Sequence, residues 1–265
     1  MKKGTTISFL NFKGGVGKTL TTCSVGSALA RRGFKTLLVD IDAQANLTEY
    51  LGVVAGDNIR TIFEAILEQK DIPIIEETIF LHFIPSSVRL AAIEQKLAGD
   101  TGRSMRLSKL LSQVRDTYDF ILIDCPPAFG VGSTSALVAS DFAVIPMEPT
   151  AFPLSGMEKM KAFAERAMKN NKHLSLLGIV FTRYRATRCQ KETIAEVTAA
   201  YPTLPFLTRI RENTTLAEST GAHWDIFEYD PKSNGAKDYQ ALTEEILARM
   251  NTIQDNDIKH LKDKQ

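Results

Sequence analysis

The chain has 265 residues, of which 44% are hydrophobic and 24% are charged, and its formal net charge is +1. No stretch approaches the roughly 18 apolar residues that a membrane-spanning helix requires, and the near-zero charge argues against a protein coated in basic residues. Three widely separated cysteines, Cys23, Cys125 and Cys189, indicate neither a disulfide framework nor a metal-binding knuckle, so we expect a soluble, cytoplasmic protein.

The first predicted unit is a strand, a glycine-rich loop and a helix. Thr5 to Asn11 form an apolar strand that ends where the glycines begin. Thr19 to Arg32 then carry small and apolar residues at helical spacing, and Gly33 is a plausible helix C-cap.

Strands and helices alternate along the rest of the chain. Further strands are expected at Lys35 to Asp40, Phe80 to Ile84, Asp119 to Asp124, Phe142 to Pro146, Leu176 to Thr182 and Leu204 to Leu207, and helices at Ile59 to Gln69, Val88 to Ala98, Ser104 to Arg115, Pro153 to Asn170, Gln190 to Ala200 and Ala236 to Met250. This order predicts an α/β fold, a mostly parallel twisted sheet with helices on both faces. Because no Pro-, Gly- or Ser-rich stretch divides the chain, we expect one domain over residues 1–250 and a polar C-terminal tail over 251–265.

The run from Lys13 to Thr19 has the spacing of a phosphate-binding loop between a strand and a helix. Its glycines, at 14, 15 and 17, let backbone N–H groups point at phosphate oxygens, and the helix N-terminus adds its positive dipole. Lys18 supplies a cation and Thr19 a hydroxyl for Mg²⁺. The sequence therefore predicts a P-loop NTPase that binds ATP.

Carboxylates follow two of the predicted strands, at the edge of the sheet where ligands bind. Asp124 ends a hydrophobic strand, as a carboxylate that holds Mg²⁺ does in P-loop proteins. The segment from Cys125 to Gly130 mixes stiff prolines with a glycine, which suits a loop that senses the γ-phosphate. Asp40 and Asp42 share one face of the extended chain. One could orient the attacking water, and the other could anchor the water shell of the metal.

Four segments carry a family resemblance: Asn-Phe-Lys-Gly-Gly-Val-Gly-Lys-Thr at 11–19, and residues 37–48, 120–127 and 229–239. They resemble the ParA/Soj/MinD group of deviant Walker A ATPases, and most of all its ParA/Soj branch. The resemblance implies that Lys13 is the signature lysine, which reaches the partner protomer's nucleotide so that ATP joins a sandwich dimer. It also implies that Asp42 positions the hydrolytic water and that Asp40 supports the switch.

By the same resemblance, Lys13, Lys18 and Asp42 are the expected catalytic residues. The metal site is expected at Thr19, Asp40 and Asp124. The nucleotide is expected to contact Gly14, Gly15, Val16, Gly17, Lys18, Thr19, Leu20, Thr182, Arg183 and Arg211. Two positions depart from the family pattern, since Ala43 stands where proline is usual and Leu20 replaces a common threonine. We expect slower or weaker nucleotide handling as a result.

The resemblance further implies binding to duplex DNA without sequence preference, which demands a basic face. The chain offers Arg183, Arg185, Arg188 and Lys191 in one short segment, with Arg209 and Arg211 a strand away. Of these, the residues expected to contact DNA are Arg185, Arg188, Lys191 and Arg209. Thr215 and Glu212 stand where the family often has arginine, which weakens the case for contact at those positions.

The sequence thus predicts a nucleoid-associated partition ATPase for plasmid or chromosomal DNA, released when a ParB-like centromere-binding or cargo-adaptor protein stimulates hydrolysis. Lacking an extension before its first strand, it resembles the short ParA type. A MinD-like membrane ATPase is the main competing hypothesis, although residues 250–265 carry few apolar anchors and predict no stable membrane attachment. Three more hypotheses stay open: positioning of a protein cargo, an iron–sulfur carrier, which needs paired cysteines, and a module that binds ATP without hydrolysing it.

Overall fold

The computed structural model describes residues 4–53, 59–150 and 153–262, with all of their side chains except those of residues 153 and 254–262. The strands are β1 (Thr5–Phe9), β2 (Thr36–Asp40), β3 (Ile75–Glu76), β4 (Leu81–Ile84), β5 (Phe120–Asp124), β6 (Phe142–Met147), β7 (Ser175–Tyr184) and β8 (Pro205–Arg211). Within the described residues they form one sheet of eight strands in the order β3-β4-β2-β5-β1-β6-β7-β8. Only the β3–β4 pair is antiparallel in this sheet.

Helices cover both faces of the sheet. They are α1 (Lys18–Arg31), α2 (Asn46–Tyr50), α3 (Ile62–Glu68), α4 (Ile93–Lys96), α5 (Arg106–Ser112), α6 (Val131–Ala139), α7 (Pro153–Met168), α8 (Arg188–Ala200), α9 (Thr214–Gly221), α10 (Ile226–Tyr229) and α11 (Asn234–Lys262). Apolar residues of α1, α2 and α9 to α11 pack on one face, and those of α3 to α8 pack on the other. The predicted α/β fold, with a mostly parallel sheet between helical layers, is confirmed.

The central strands are apolar throughout because both of their faces are buried. In β2, for example, Leu37 and Val39 belong to one core cluster, whereas Leu38 belongs to the other. Successive side chains of a strand point to opposite faces, so each strand contributes to both clusters.

Several element boundaries differ from the prediction. The helix α3 begins at Ile62 and not at Ile59, because Thr61 caps it: the Thr61 hydroxyl accepts the Phe63 N–H, and the Glu64 carboxylate accepts the Thr61 N–H. The long helices expected over residues 88–98 and 104–115 are shorter, since each begins with a 3₁₀ turn, Val88–Ala92 before α4 and Arg103–Met105 before α5.

Two helices show what hydrophobic patterning misses. The helix α6 was not predicted: Ser133, Ser135 and its apolar residues from Ala136 to Ala139 are buried, so no polar stripe marks its period. The helix α11 runs through Met250 to Lys262, so the boundary expected at residue 250 falls inside a helix. Among the described helices, none combines the length and the apolar character that crossing a membrane requires.

The parallel register brings the predicted polar strand ends together. Asp40 pairs with Asp124 across β2 and β5, and Phe9, the last residue of β1, pairs with Asp124 from the other side. The loop after β1 therefore begins beside both carboxylates.

Candidate active site

The loop between β1 and α1 presents backbone N–H groups at a helix start. Gly15 and Gly17 have φ values of 73° and 79°, in the left-handed region that glycine adopts without strain. Gly17 is the N-cap of α1 and, as a glycine, has no side chain that could cap that end. The first N–H groups of α1 are therefore free to bind an anion.

Hydrogen bonds with neighbouring elements hold the loop and the residue at its start. The Thr182 hydroxyl on β7 donates to the Val16 carbonyl at 2.9 Å, and the Asn11 side chain donates to the Pro146 carbonyl at 2.8 Å. Thr182, expected to contact the nucleotide, thus lies against the loop itself. Its hydroxyl is placed to set the shape of the loop.

The Lys18 ammonium lies against the backbone of the loop that is expected to bind the phosphates. Its side chain is largely buried, with 7% of the residue exposed, and its Nζ donates to the Lys13 carbonyl at 3.3 Å. Burial lowers the pKa of the Lys18 ammonium, and the negative charge of Asp124 is the largest opposing influence. An anionic ligand would further stabilise the charged form.

Asp124 and Thr19 form a site with the character of a magnesium ligand pair. The Thr19 hydroxyl donates to Asp124 Oδ2 at 2.6 Å, while Asp124 Oδ1 is buried and has no hydrogen-bond partner among the described residues. Burial, reinforced by the charge of Asp40, raises the pKa of Asp124 well above its ordinary value. A bare buried carboxylate oxygen beside a hydroxyl fits a divalent cation, because Mg²⁺ prefers oxygen ligands and supplies the missing charge.

Asp40 is equally buried but fully engaged. Its Oδ1 accepts the Asp42 N–H at 3.0 Å, and its Oδ2 accepts the N–H and the hydroxyl of Thr48 at 2.9 and 2.7 Å. Burial raises the pKa of Asp40 to about 6, and the hydrogen bonds from Thr48 oppose that rise. The geometry favours a supporting role for Asp40 over the metal contact that was also expected. Thr48, which the sequence reasoning left without a role, is its main partner.

Asp42 sits at the mouth of the same site, with 8% of the residue exposed. Its Oδ1 accepts the Gln44 N–H at 3.0 Å, and its backbone carbonyl accepts the Ser86 hydroxyl at 2.7 Å. Its carboxylate is therefore held in place and borders the cleft that Lys18 and Thr19 also line.

That cleft has a volume of about 850 Å³, enough for a nucleotide. The predicted residues that line it are Gly14, Gly15, Gly17, Lys18, Thr19, Leu20, Asp42, Thr182, Arg183 and Arg211. Asp238 holds the Arg211 guanidinium at the cleft edge, with Nη2 to Oδ1 at 2.6 Å and Nε to Oδ2 at 2.9 Å. Sequence reasoning missed Asp238 and the cleft residues Asn213 and Tyr239, although the family segment at 229–239 contains two of the three.

Lys13 lies beside this cleft. Its side chain is 54% exposed, and its Nζ is 3.1 Å from Thr150 Oγ1 and 3.6 Å from Glu148 Oε2. It lines a smaller neighbouring cavity together with those two residues. Glu148 and Thr150 carried no motif signal in the sequence.

The residues expected to contact DNA, Arg185, Arg188, Lys191 and Arg209, lie at the carboxyl edge of the sheet, and we call them the basic patch. Arg185 pairs with Glu212, and Arg188 pairs with Glu192 at 2.7 Å. The Arg209 guanidinium donates to the Tyr184 hydroxyl at 3.1 Å and lies over its ring. All four cations are exposed, but two of them already have a carboxylate partner.

Comparison with known proteins agrees with this geometry. A family model described as an AAA domain matches residues 4–176. The chromosome-partitioning ATPase Soj of Treponema pallidum is 36% identical over 251 residues, which cover 93% of this chain and 98% of that protein. The sporulation initiation inhibitor protein Soj of Bacillus subtilis is 36% identical over 250 residues, 92% of this chain and 99% of that protein.

Solved structures agree as well. Cobyrinic acid a,c-diamide synthase from Mycobacterium smegmatis, with a bound ATP analog and magnesium, has a TM-score of 0.82 and 25% identity. The match covers 93% of this chain and 96% of that one.

Proposed function

Because the chain belongs to the ParA/Soj family of P-loop ATPases, with ATP and Mg²⁺ as its cofactors, we propose that it is a DNA-partition switch that dimerises on ATP. The ATP dimer binds duplex DNA of any sequence across the nucleoid. Hydrolysis, stimulated by a ParB-like partner, returns the protein to the monomer.

The nucleotide chemistry depends on four side chains. Thr19 and Asp124 would hold the metal, and Lys18 would neutralise charge on the phosphates. Mg²⁺, when bound, lowers the cost of the negative charge on the transferring phosphate. Asp42, fixed through Gln44 and Ser86, is placed to orient the attacking water.

The position of Lys13 is the observation that carries the dimer proposal. Lys18 already occupies the cation position of its own loop, whereas Lys13 is exposed and points toward Glu148 and Thr150. An exposed surface pair of this kind is worth about 0–1 kcal/mol, so the ammonium can leave it readily. A second protomer's triphosphate would bind it more strongly, because that ligand carries several negative charges.

DNA binding is assigned to the basic patch, doubled by the dimer. A face of this kind contacts phosphates and not base edges, so binding should weaken steeply with salt and vary little with sequence.

The experiment that tests the proposal uses Asp42→Ala, which should bind ATP without hydrolysing it. This variant is sedimented with random duplex DNA and, separately, with anionic liposomes, in ATP and in ADP. Retention on DNA only in ATP is the expected result, and Lys18→Ala, which should not bind ATP, is the control. Retention on liposomes but not on DNA would overturn the partition proposal in favour of membrane positioning.

A further inference from the structure

Three phenylalanine rings connect the phosphate loop, the segment after Asp124 and the helix α7. The Phe12 and Phe129 rings are stacked, with their planes at 28° to each other. Phe163 meets both edge-on, with its centroid 5.2 Å from each. We call Phe12, Phe129 and Phe163 the ring cluster.

The ring cluster joins two parts of the active site. Phe12 immediately precedes Lys13, and Phe129 lies two residues after Pro127, which lines the ATP cleft. The contact between the Phe12 and Phe129 rings therefore links the loop that holds the phosphates to the segment expected to sense the γ-phosphate.

Hydrogen bonds hold that segment at its start, in its middle and just past its end, and the Phe129 ring adds a contact with the phosphate loop. At the start, the Cys125 N–H donates to the Phe9 carbonyl at 3.2 Å. In the middle, the Ser133 hydroxyl donates to the Ala128 carbonyl at 2.7 Å. Just past the end, the Val131 N–H donates to Glu94 Oε1 at 2.8 Å. Among these contacts, the stack on Phe12 ties the middle of the segment to the phosphate loop.

Burial alone does not account for the position of Phe129. The residue is 52% exposed, whereas Phe12 and Phe163 are half-buried and pack against the core. A half-exposed ring gains only part of the hydrophobic free energy of a buried one, and the contacts with the Phe12 and Phe163 rings add an aromatic contribution that depends on ring orientation. Such a contact is weak enough to break and re-form as the segment moves.

We propose that Phe129 is a positioning residue for ATP hydrolysis: stacked on Phe12, it sets the segment from Cys125 to Gly130 against the phosphate loop in the conformation that supports turnover. Phe12 and Phe129 then act as one unit, and Phe163 holds both rings in place. The inference depends on the ATPase activity and on the switch role of this segment. It does not depend on DNA binding.

A double-mutant cycle on basal ATP hydrolysis, measured without DNA, tests this proposal. Phe12→Leu and Phe129→Leu keep apolar bulk but remove the stack, and each should lower kcat by about threefold to tenfold, the range that an aromatic pair supplies. The KM for ATP should stay within about twofold, because the loop and Lys18 bind the phosphates. The double variant should be no slower than the slower single variant.

Two further variants separate positioning from packing. Phe129→Tyr retains the ring and should have the kcat of the wild-type protein. Ile79→Ala removes an exposed apolar side chain at the opposite edge of the sheet, and it should leave kcat unchanged. If the fold-losses in kcat of the two single variants multiply in the double variant, the proposal is overturned. A rise in KM with unchanged kcat would also overturn it.

A second measurement does not require turnover. The only tryptophan is Trp224, so Phe129→Trp in a Trp224→Phe background reports on this ring alone. The emission should change when ATP is added and not when ADP is added. Identical emission with both nucleotides would contradict the proposal, whether or not the protein sediments with DNA.

Discussion

The nucleotide cleft and the basic patch lie at the same edge of the sheet, yet they are built differently. At the nucleotide site, Asp40, Asp124 and Lys18 are buried and each is held by at least one hydrogen bond. Among the described residues, Asp124 Oδ1 has no partner, and a cation would complete it. In the basic patch the cations are exposed, and two of them pair with carboxylates at the surface, Arg185 with Glu212 and Arg188 with Glu192. Changes in the cleft should therefore have large effects on one step, and changes in the patch should have small effects that add.

The largest expected effect comes from removing the charge of Asp124. Asp124→Asn should lower ATP turnover by about a hundredfold or more, because the buried oxygen that would bind the metal becomes part of a neutral amide. Phosphate release measured against Mg²⁺ concentration checks this. Asp119→Asn, at the amino end of the same strand, is the matched control and should retain turnover. Equal turnover in both variants would show that Asp124 is not a metal ligand.

Smaller effects are expected in the basic patch. Lys191→Ala and Arg209→Ala should each weaken duplex binding by about threefold to tenfold in ATP and lower the slope against salt by about 1 for each lost phosphate contact. Fluorescence anisotropy across a salt series measures both quantities. ATP turnover without DNA should not change. Lys70→Ala removes the same charge elsewhere, and an equal loss there would mean that overall charge, and not this patch, sets the affinity.

The smallest effect is a gain. Glu212→Gln should free Arg185 and tighten duplex binding by about twofold to threefold, because exposed ion pairs are weak and the released guanidinium can contact a phosphate. The same anisotropy assay applies, with Glu165→Gln on α7 as the control. Weaker binding after Glu212→Gln would indicate that the pair holds Arg185 in its binding position.

The same difference explains how far the sequence could be interpreted. The order of strands and helices and the loop from Lys13 to Thr19 follow from local patterns, because buried strands are apolar and phosphate loops require glycine at set positions. The residues that support Asp40 could not be predicted from local patterns. Thr48 is eight residues away, and Ser86, which donates its N–H to the Thr48 hydroxyl, lies just after the neighbouring strand β4. Pairings of this kind depend on the tertiary fold.

The ring cluster illustrates the same limit. Phe12 and Phe129 stand more than a hundred residues apart, and nothing in their local sequence marks them as neighbours. The helix α6 and the Arg185–Glu212 pair were missed for related reasons, since the helix has no polar stripe and the pair joins two separate elements.

The most direct test of the central claim mixes two inactive variants. Suppose that Lys13 acts on the partner's nucleotide. A dimer of one Lys13→Ala protomer and one Asp42→Ala protomer then has one complete site, on the Lys13→Ala protomer, which keeps Asp42 and receives Lys13 from its partner. An equal mixture should then recover about one quarter of wild-type ATP turnover, since half of the randomly formed dimers are mixed and each has one working site. If Lys13 acts on its own nucleotide, no site in the mixture is complete. Mixed dimers that form in ATP but recover no turnover would contradict the shared site.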